Sequence, residues 1–360
     1  MSIAMVDALR RADVFWGLER EDIEILAEVL PTIEIEHGQM LFEQGVMGDS
    51  MFIVAKGRLQ VRVSDGDGQS TTVGMLGAGE SVGEMACIDP SPRSAAVVAT
   101  QPTMVCELSA DTLDTLEEVA PAIVATLVGG VMRHVTKCLR QTNERLELEL
   151  RSLHRDRDPL RKDDPQAPAS SLGDPRMYRG LFRWDGAVIP EGLERRDLEM
   201  LGSAGRMLVL DPGVSLCQEG RSGASCFVIL EGHVEVFKAS AGGGRHLANL
   251  GPGTLVGQMS LVDSSPRSAS VRAVDEVVAL EIGRDVFERL LKAATPFALR
   301  FQRQIALAGI RQLRMANGRL TGLLGRGDKL DKEDDEGKAT GPQLSRVQTA
   351  LYEWNVSIED

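Results

Sequence analysis

The sequence lacks the short motifs by which common enzyme classes are recognised. It contains no HExxH, GxSxG or GxxxxGK[ST] pattern, which excludes the usual signatures of zinc proteases, serine hydrolases and P-loop nucleotide triphosphatases. We therefore predict that the chain is not an enzyme, and we expect no catalytic residues, no metal site and no cofactor. The histidines are few and scattered, at His37, His134, His154, His233 and His246.

Cysteine and net positive charge are also scarce. The five cysteines form no CxxC pair, so we expect reduced, buried thiols rather than a disulfide framework. The 53 acidic against 40 basic residues give a net charge of −13, which makes DNA an unexpected partner. The cysteines are Cys87, Cys106, Cys138, Cys217 and Cys226.

Long hydrophobic runs are missing. The N-terminal MSIAMVDALRRADVF has no basic start followed by an apolar run, so it does not read as a signal peptide. No stretch approaches the ~20 consecutive apolar residues of a transmembrane helix. These absences predict a cytoplasmic protein with no membrane partner.

One stretch of sequence occurs twice. Residues 82–97 read VGEMACIDPSPRSAAV, and residues 256–271 read VGQMSLVDSSPRSASV. Gly83 and Gly257 are separated by 174 positions (257 − 83), as are Arg93 and Arg267 (267 − 93). We call residues 82–97 the first cassette and residues 256–271 the second cassette. Such a match predicts two copies of one domain.

Each cassette has the parts of a small anion site. A glycine permits close approach of the backbone, a short apolar helical turn follows, and an Asp-x-x-Pro-Arg-Ser turn then supplies a guanidinium and a hydroxyl. Free amides at a helix start favour phosphate, and an arginine meets two phosphate oxygens at once. Glu84 precedes Arg93 by nine residues (93 − 84) and is suited to accept a hydrogen bond from a sugar hydroxyl.

This pattern resembles the phosphate-binding cassette of cyclic nucleotide-binding domains, the family of the catabolite activator protein and the regulatory subunits of cAMP-dependent kinase. The resemblance implies that Glu84 holds the ribose 2′-hydroxyl, that Arg93 pairs with the cyclic phosphate, and that Ser94 and the amides around Ala86 and Ala95 complete the phosphate cradle. The ligand-binding residues it implies in the first cassette are Gly83, Glu84, Met85, Ala86, Arg93, Ser94 and Ala95. Those in the second cassette are Gly257, Gln258, Met259, Ser260, Arg267, Ser268 and Ala269.

The two cassettes differ at the acidic position, where Gln258 replaces the glutamate. A neutral amide accepts a hydrogen bond without charge assistance, at a loss of ~1–2 kcal/mol. We therefore expect tight binding in the first domain and weak binding or a structural role in the second. Within the family, a serine directly after the arginine, as at Ser94 and Ser268, favours cAMP over cGMP, although it does not exclude cGMP.

The periodicity outside the cassettes predicts an α+β, mainly β fold with two cyclic-nucleotide-binding jelly rolls, each flanked by an N-terminal helical cap and C-terminal helices. Short β-type runs from Ile33 to Ser109 predict the first roll, and Met207 to Ile282 repeat the plan. The predicted boundaries are residues 1–153 for the first domain, 154–176 for a charged, proline-rich linker, 177–325 for the second domain and 326–360 for an acidic, disordered tail.

A long helix is predicted from Pro121, with a narrow apolar seam at four- and three-residue spacing. The seam predicts either packing against its own roll or pairing with a second subunit, so a homodimer through residues 122–153 is possible. The family resemblance makes Thr136, Cys138 and Thr142 candidates for contact with the nucleotide base. The seam consists of Val124, Val128, Val131, Val135, Cys138 and Thr142.

The function that these observations predict is a cyclic nucleotide receptor without catalytic chemistry of its own. It would signal to a protein partner through ligand-induced movement of helices. Two alternatives stay open: a scaffold that keeps the fold and has lost the ligand, and a transcription regulator of the catabolite activator type. The second lacks support because no helix-turn-helix unit follows either long helix.

Overall fold

The computed structural model describes residues 3–64, 70–155, 174–179, 182–184, 187–238 and 245–334. Contacts divide the chain into two compact units. The first comprises Met1–Asp156 with Ile310–Asp360, and the second comprises Arg157–Gly309. Most of the predicted linker, and the tail from residue 335, lie outside the described residues.

The first unit contains a β roll framed by helices. Its helices in chain order are α1 (Ile3–Arg11), a 3-10 turn (Asp13–Phe15), α2 (Arg20–Val29), α3 (Glu84–Ile88), α4 (Ala110–Val119) and α5 (Pro121–Arg155). Its strands are β1 (Thr32–Ile35), β2 (Met40–Phe42), β3 (Met47–Gly48), β4 (Ser50–Lys56), β5 (Leu59–Ser64), β6 (Ser70–Leu76), β7 (Ser81–Val82), β8 (Ser91–Pro92), β9 (Ala96–Ala99) and β10 (Thr103–Ser109).

Eight strands of this roll form two antiparallel sheets with a shared core, in the orders β1-β10-β4-β7 and β2-β9-β5-β6. The remaining two, β3 and β8, form a separate antiparallel pair. Side chains alternate across a strand, so Leu59, Val61 and Val63 of β5 all point into the core, where they meet Val97 and Val105. The strands predicted from alternation are confirmed, with ends that differ by a residue.

The helices after the roll begin where the sequence predicts. Ser109 caps α4, because its hydroxyl accepts a hydrogen bond from the amide of Thr112 at 3.1 Å. Pro121 opens α5, where its missing N–H costs nothing. The α5 seam is buried within the single chain, with exposed fractions from 0% at Val124 to 6% at Thr142.

One described helix is long and apolar enough to cross a membrane, contrary to the expectation of none. It is the Pro121–Leu146 part of α5, with a mean hydropathy of 1.3. Within the fold, 61% of its apolar window is buried against protein, which is how the core helix of a globular domain satisfies the same criterion.

The second unit repeats the roll. Its elements in chain order are β11 (Arg176–Met177), α6 (Arg195–Ala204), β12 (Arg206–Leu210), β13 (Ser215–Cys217), β14 (Ser225–Glu231), β15 (Val234–Lys238), β16 (Arg245–Leu250), β17 (Leu255–Val256), α7 (Met259–Val262), β18 (Ser270–Ala273), β19 (Val277–Gly283), α8 (Arg284–Lys292) and α9 (Pro296–Asp334). The sheet orders β11-β12-β19-β14-β17 and β13-β18-β15-β16 match those of the first roll, with β11 added.

Two segments differ from the sequence prediction. Arg176–Met177 is a short strand rather than the start of a helical cap, since its backbone pairs with β12 and Arg176 bonds Asp211 at 2.6 Å. Helix α9 runs past its predicted end near Leu324, and its residues from Ile310 onward belong to the first unit rather than to the predicted second domain of residues 177–325.

All five cysteines are free and buried. Burial raises the pKa of the Cys106 and Cys217 thiols to about 11 and raises that of Cys226 further. These three thiols are therefore protonated and poorly reactive at neutral pH.

Candidate functional site

The first cassette lies at the edge of the first roll, where β7 leads into α3 and β8 leads into Arg93. Gly83 begins the turn into α3 in the left-handed region, with φ of 89°. A Cβ at Gly83 would lie 2.5 Å from Nη1 of Arg93 and 2.9 Å from the carbonyl of Ser50. The absence of a side chain here therefore makes room for the guanidinium.

Arg93 is held inside the roll, with only 8% of its surface exposed. Its Nη1 donates to the carbonyl of Ser50 at 2.6 Å, and its guanidinium carbon lies 4.3 Å from the ring centre of Phe42. Among the described residues, the Ser50 carbonyl is the one hydrogen-bond acceptor of the Arg93 side chain. Gly48 leaves the necessary space, because a Cβ there would lie 2.1 Å from Nε of Arg93.

The charge on Arg93 is maintained despite its burial. Burial lowers its pKa, and the carboxylates of Asp49, Glu107 and Glu84 act in the opposite direction. An arginine guanidinium stays protonated in proteins at neutral pH. The first cassette therefore offers a buried cation with donor capacity left over.

Glu84 is the first residue of α3 and is half-buried. Its carboxylate accepts a hydrogen bond from the hydroxyl of Ser81 at 2.5 Å. Its charge acts on Arg93, so the structure brings the predicted acid and the predicted cation into one electrostatic environment. A ligand with both an anionic group and a hydroxyl matches this pair.

The remaining predicted residues of the first cassette occupy different environments. Met85 is half-buried, Ala86 and Ala95 are buried, and Ser94 is exposed. The Ala86 amide donates to the carbonyl of Gly83 at 3.0 Å, because the short helix closes its first turn. In this conformation that amide is therefore not free for a phosphate, unlike the expectation.

The second cassette repeats the backbone but satisfies its arginine internally. Gly257 is again left-handed, with φ of 80°, and Arg267 is again 8% exposed. The Arg267 side chain donates to the carbonyls of Gly257 and Ser225, both at 2.5 Å, and to Oγ of Ser260 at 2.8 Å. Three acceptors thus bind the Arg267 guanidinium, two more than the described residues supply to Arg93.

Ser260 explains part of this difference. It stands at the position of Ala86 in the first cassette (260 − 86 = 174), where a methyl group accepts no hydrogen bond. Arg284 also stabilises the second cassette, because it donates to the carbonyls of Gly223 at 2.7 Å and Ser260 at 3.3 Å. The first cassette has Ala110 at the corresponding position (284 − 174).

Gln258, in place of the acid, is 2% exposed, and its Nε2 has no hydrogen-bond partner in the described part of the chain. Ser268 donates to the Met259 sulfur at 3.8 Å, and Ala269 is half-buried. A buried amide with an unpaired donor is costly. We therefore regard Gln258 as unsuited to reproduce the role of Glu84.

A cavity of about 530 Å³ opens beside Arg267 in the second unit. Its walls include Arg206, Arg221, Phe227 and Glu281. This volume is sufficient for a small ligand. Space alone therefore does not prevent the second roll from binding.

The polar residues predicted to reach a base from α5 are all buried: Thr136, Cys138 and Thr142 have exposed fractions of 6%, 3% and 6%. Thr142 donates to Oδ1 of Asn317 on α9 at 3.1 Å, and the Cys138 sulfur lies 3.5 Å from Nε2 of His134. Thr142 and Cys138 thus already have protein neighbours.

Two residues near the cassettes were missed by sequence reasoning. Comparison of the two copies could have identified Ser260, because the change from Ala86 introduces a hydroxyl beside the arginine. No sequence signal points to Arg314, which bonds Asp89 and Ser91 of the first cassette from 225 and 223 positions away.

Comparisons with known proteins agree with this geometry. The family description "cyclic nucleotide-binding domain" matches residues 32–118 and 207–294. The cAMP-dependent protein kinase regulatory subunit of Yarrowia lipolytica is 26% identical over 278 residues, which are 77% of this chain and 58% of the relative. The cGMP-dependent protein kinase of Toxoplasma gondii is 24% identical over 286 residues, 79% of this chain and 23% of the relative.

Among solved structures, the regulatory domain of Toxoplasma gondii PKA with cAMP aligns with 81% of this chain and 92% of its own, at 18% identity and a TM-score of 0.31. The chain spans about half the length of the curated regulatory subunits it matches, between 42% and 58% for three of them.

The hydrogen bonds of the two arginines predict unequal effects on stability. Arg267→Ala removes three side-chain hydrogen bonds and should destabilise its roll by about 2–3 kcal/mol, whereas Arg93→Ala removes the bond to the Ser50 carbonyl and should cost about 1 kcal/mol. Native-state hydrogen exchange of the β14 and β4 amides measures each loss locally. Equal losses in the two rolls would contradict the assignment of Arg267 as internally satisfied.

Proposed function

Because the chain contains two cyclic nucleotide-binding domains in tandem, we propose that it is a cyclic nucleotide receptor whose first cassette is the sensor. The observation that carries this proposal is the state of Arg93. It is a buried cation that has one hydrogen-bond acceptor among the described residues, the Ser50 carbonyl, and it shares its cassette with the carboxylate of Glu84. A buried charge with unused donors is unfavourable unless an anion completes its hydrogen bonds.

The proposed roles follow from the chemistry of each group. Arg93 pairs with the cyclic phosphate, and Glu84, steadied by Ser81, accepts the ribose 2′-hydroxyl. Gly83 and Ala95 allow close approach of the ligand, while Ser94 is exposed next to the arginine. All the roles proposed for this set are binding roles, as the proposal of a receptor requires.

For the second cassette we propose weak binding or a structural role. A phosphate would have to displace acceptors that Arg267 already holds in Gly257, Ser225 and Ser260. Gln258 in addition offers no negative charge to a ribose hydroxyl. Each deficit is of the order of 1–2 kcal/mol, and together they weaken binding by one to three orders of magnitude.

The proposed signal travels through helices to a protein partner. Helix α3, which carries the first cassette, contacts α5, so a shift of the cassette on ligand binding changes the packing of α5. The relatives named as regulatory subunits of a protein kinase support a protein partner for such a receptor. We propose a cytoplasmic location for it. A homodimer through residues 122–153 would have to use faces of α5 other than its seam, which is buried within one chain.

For the nucleotide we propose cAMP over cGMP. The serine after the arginine, Ser94, accompanies cAMP in the resembling family, and several relatives are named for cAMP. Because one relative is named for cGMP, a binding experiment has to compare cGMP with cAMP.

The proposal predicts that Arg93→Ala abolishes tight binding of cAMP, because the phosphate loses its buried cation. The matched variant Arg267→Ala, with the same change at the equivalent position, should keep the tight site. Isothermal titration calorimetry of the full chain with cAMP and, separately, cGMP measures both. A wild-type chain that binds neither nucleotide, with no thermal stabilisation at millimolar ligand, would show a scaffold instead. Loss of the tight site in Arg267→Ala alone would reverse the ranking.

Glu84→Gln installs in the first cassette the side chain found in the second. We expect binding about tenfold weaker, because the ribose hydroxyl loses a charged acceptor. Glu80→Gln is the control, since Glu80 is a nearby acid that accepts from the Gly77 amide at 2.5 Å and has no proposed ligand role. If both variants weaken cAMP binding equally, a general loss of negative charge rather than a specific contact is responsible.

A further inference from the structure

One arginine of helix α9 forms hydrogen bonds to the first cassette. Arg314 bonds the carboxylate of Asp89, donates to the Asp89 carbonyl at 3.0 Å and donates to Oγ of Ser91 at 2.6 Å. One guanidinium therefore spans the turn between α3 and β8. The side chains of Arg314 and Asp89 are 36% and 17% exposed, so the ion pair is partly shielded from water.

The helix segment that carries Arg314 is itself packed into the first unit. We call residues 310–320 the latch segment. Four of its apolar residues recur at three- and four-residue spacing and are 7% exposed or less, whereas Met315 faces outward and is 48% exposed. Asn317, one turn after Arg314, accepts from Thr142 of α5 at 3.1 Å. The buried apolar residues are Ile310, Leu313, Ala316 and Leu320.

The turn that Arg314 contacts leads directly to Arg93, the proposed phosphate-binding residue. Ser91 lies two positions before Arg93, and the backbone of Arg93 is tied to the neighbouring loop, donating to the Val46 carbonyl at 2.8 Å and accepting from the Gly45 amide at 2.8 Å. Asp89 and Ser91 are thus held by the latch segment, while Arg93 is held by the roll. A movement of the turn changes both sets of contacts.

On the basis of the proposed function, we propose that Arg314 is a positioning residue for the first cassette and that the latch segment is coupled to its ligand. Arg314 fixes the turn in the conformation that presents Arg93, which preorganises the site. Coupling between two binding events is reciprocal. A ligand that favours this conformation therefore stabilises the packing of the latch segment by the same factor by which Arg314 raises the affinity for the ligand. Arg314 touches no ligand in this scheme and acts through Asp89 and Ser91.

The test is cAMP binding by the full-length chain and its Arg314→Ala variant, with hydrogen exchange of the latch segment in both. We expect cAMP affinity to fall about three- to tenfold in Arg314→Ala, because a partly exposed ion pair and two hydrogen bonds are lost. We also expect saturating cAMP to slow amide exchange in the latch segment of the wild type and to have little effect there in the variant.

Two further variants separate a positioning role of Arg314 from a general effect of charge or stability. Arg289→Ala removes the same charge from an exposed site, where the side chain is 73% exposed and pairs with Asp285 on its own helix, and it should bind cAMP like the wild type. The charge-reversed pair Asp89→Arg with Arg314→Glu restores the ion pair but not the donation to the Asp89 carbonyl, so it should recover part of the affinity lost in Arg314→Ala. A segment that merely stabilises the fold would lower the free energy of unfolding in Arg314→Ala and leave cAMP affinity unchanged.

The outcomes distinguish this inference from the one on which it rests. A wild-type chain that binds no cAMP would overturn both. Tight wild-type binding that is unchanged in Arg314→Ala, with no effect of cAMP on exchange of the latch segment in either chain, would overturn the coupling and leave the receptor intact.

Discussion

The structure depends on the cost of burying a guanidinium and on which acceptors offset that cost. Each roll buries one arginine to 8% exposure next to a left-handed glycine. In the second roll the protein supplies three acceptors, two carbonyls and the Ser260 hydroxyl. In the first roll the described residues supply the Ser50 carbonyl and an aromatic face, which leaves Arg93 with donors for an anion. Under the proposed function, the difference between a sensor and a structural element thus comes down to hydrogen bonds around the same side chain.

Two substitutions between the copies contribute to this difference without changing the fold. The strand order of the two main sheets is the same in both rolls, apart from β11 and the β3–β8 pair, and the glycines that make room for each arginine are retained: Gly48 and Gly83 in one copy, Gly223 and Gly257 in the other. Glu84 becomes Gln258, which removes a charge, and Ala86 becomes Ser260, which adds an acceptor. A duplicated domain can therefore keep its packing, which depends on the glycines and the apolar alternation, while its capacity for ligand diverges.

Much of this architecture was predictable because its causes are local. Alternating apolar residues predicted β5 and its neighbours, Pro121 predicted the start of α5, and the paired spacing of the cassettes predicted both arginine sites. The parts that escaped prediction depend on contacts distant in sequence. Arg314 reaches Asp89 across 225 positions, and α9 continues into the first unit because Leu313 and Leu320 are buried there. The strand at Arg176 forms only by pairing with β12. No local pattern encodes such partners.

The most direct test of this account is the number of cAMP molecules bound tightly per chain, measured by equilibrium dialysis over a concentration range of several orders of magnitude. Because the protein supplies fewer hydrogen-bond acceptors to Arg93 than to Arg267, we predict one tight site per chain, followed by weak binding or none. Two sites filled with equal, high affinity would contradict the account, because they would show that three internal acceptors and a neutral Gln258 do not impair the second cassette.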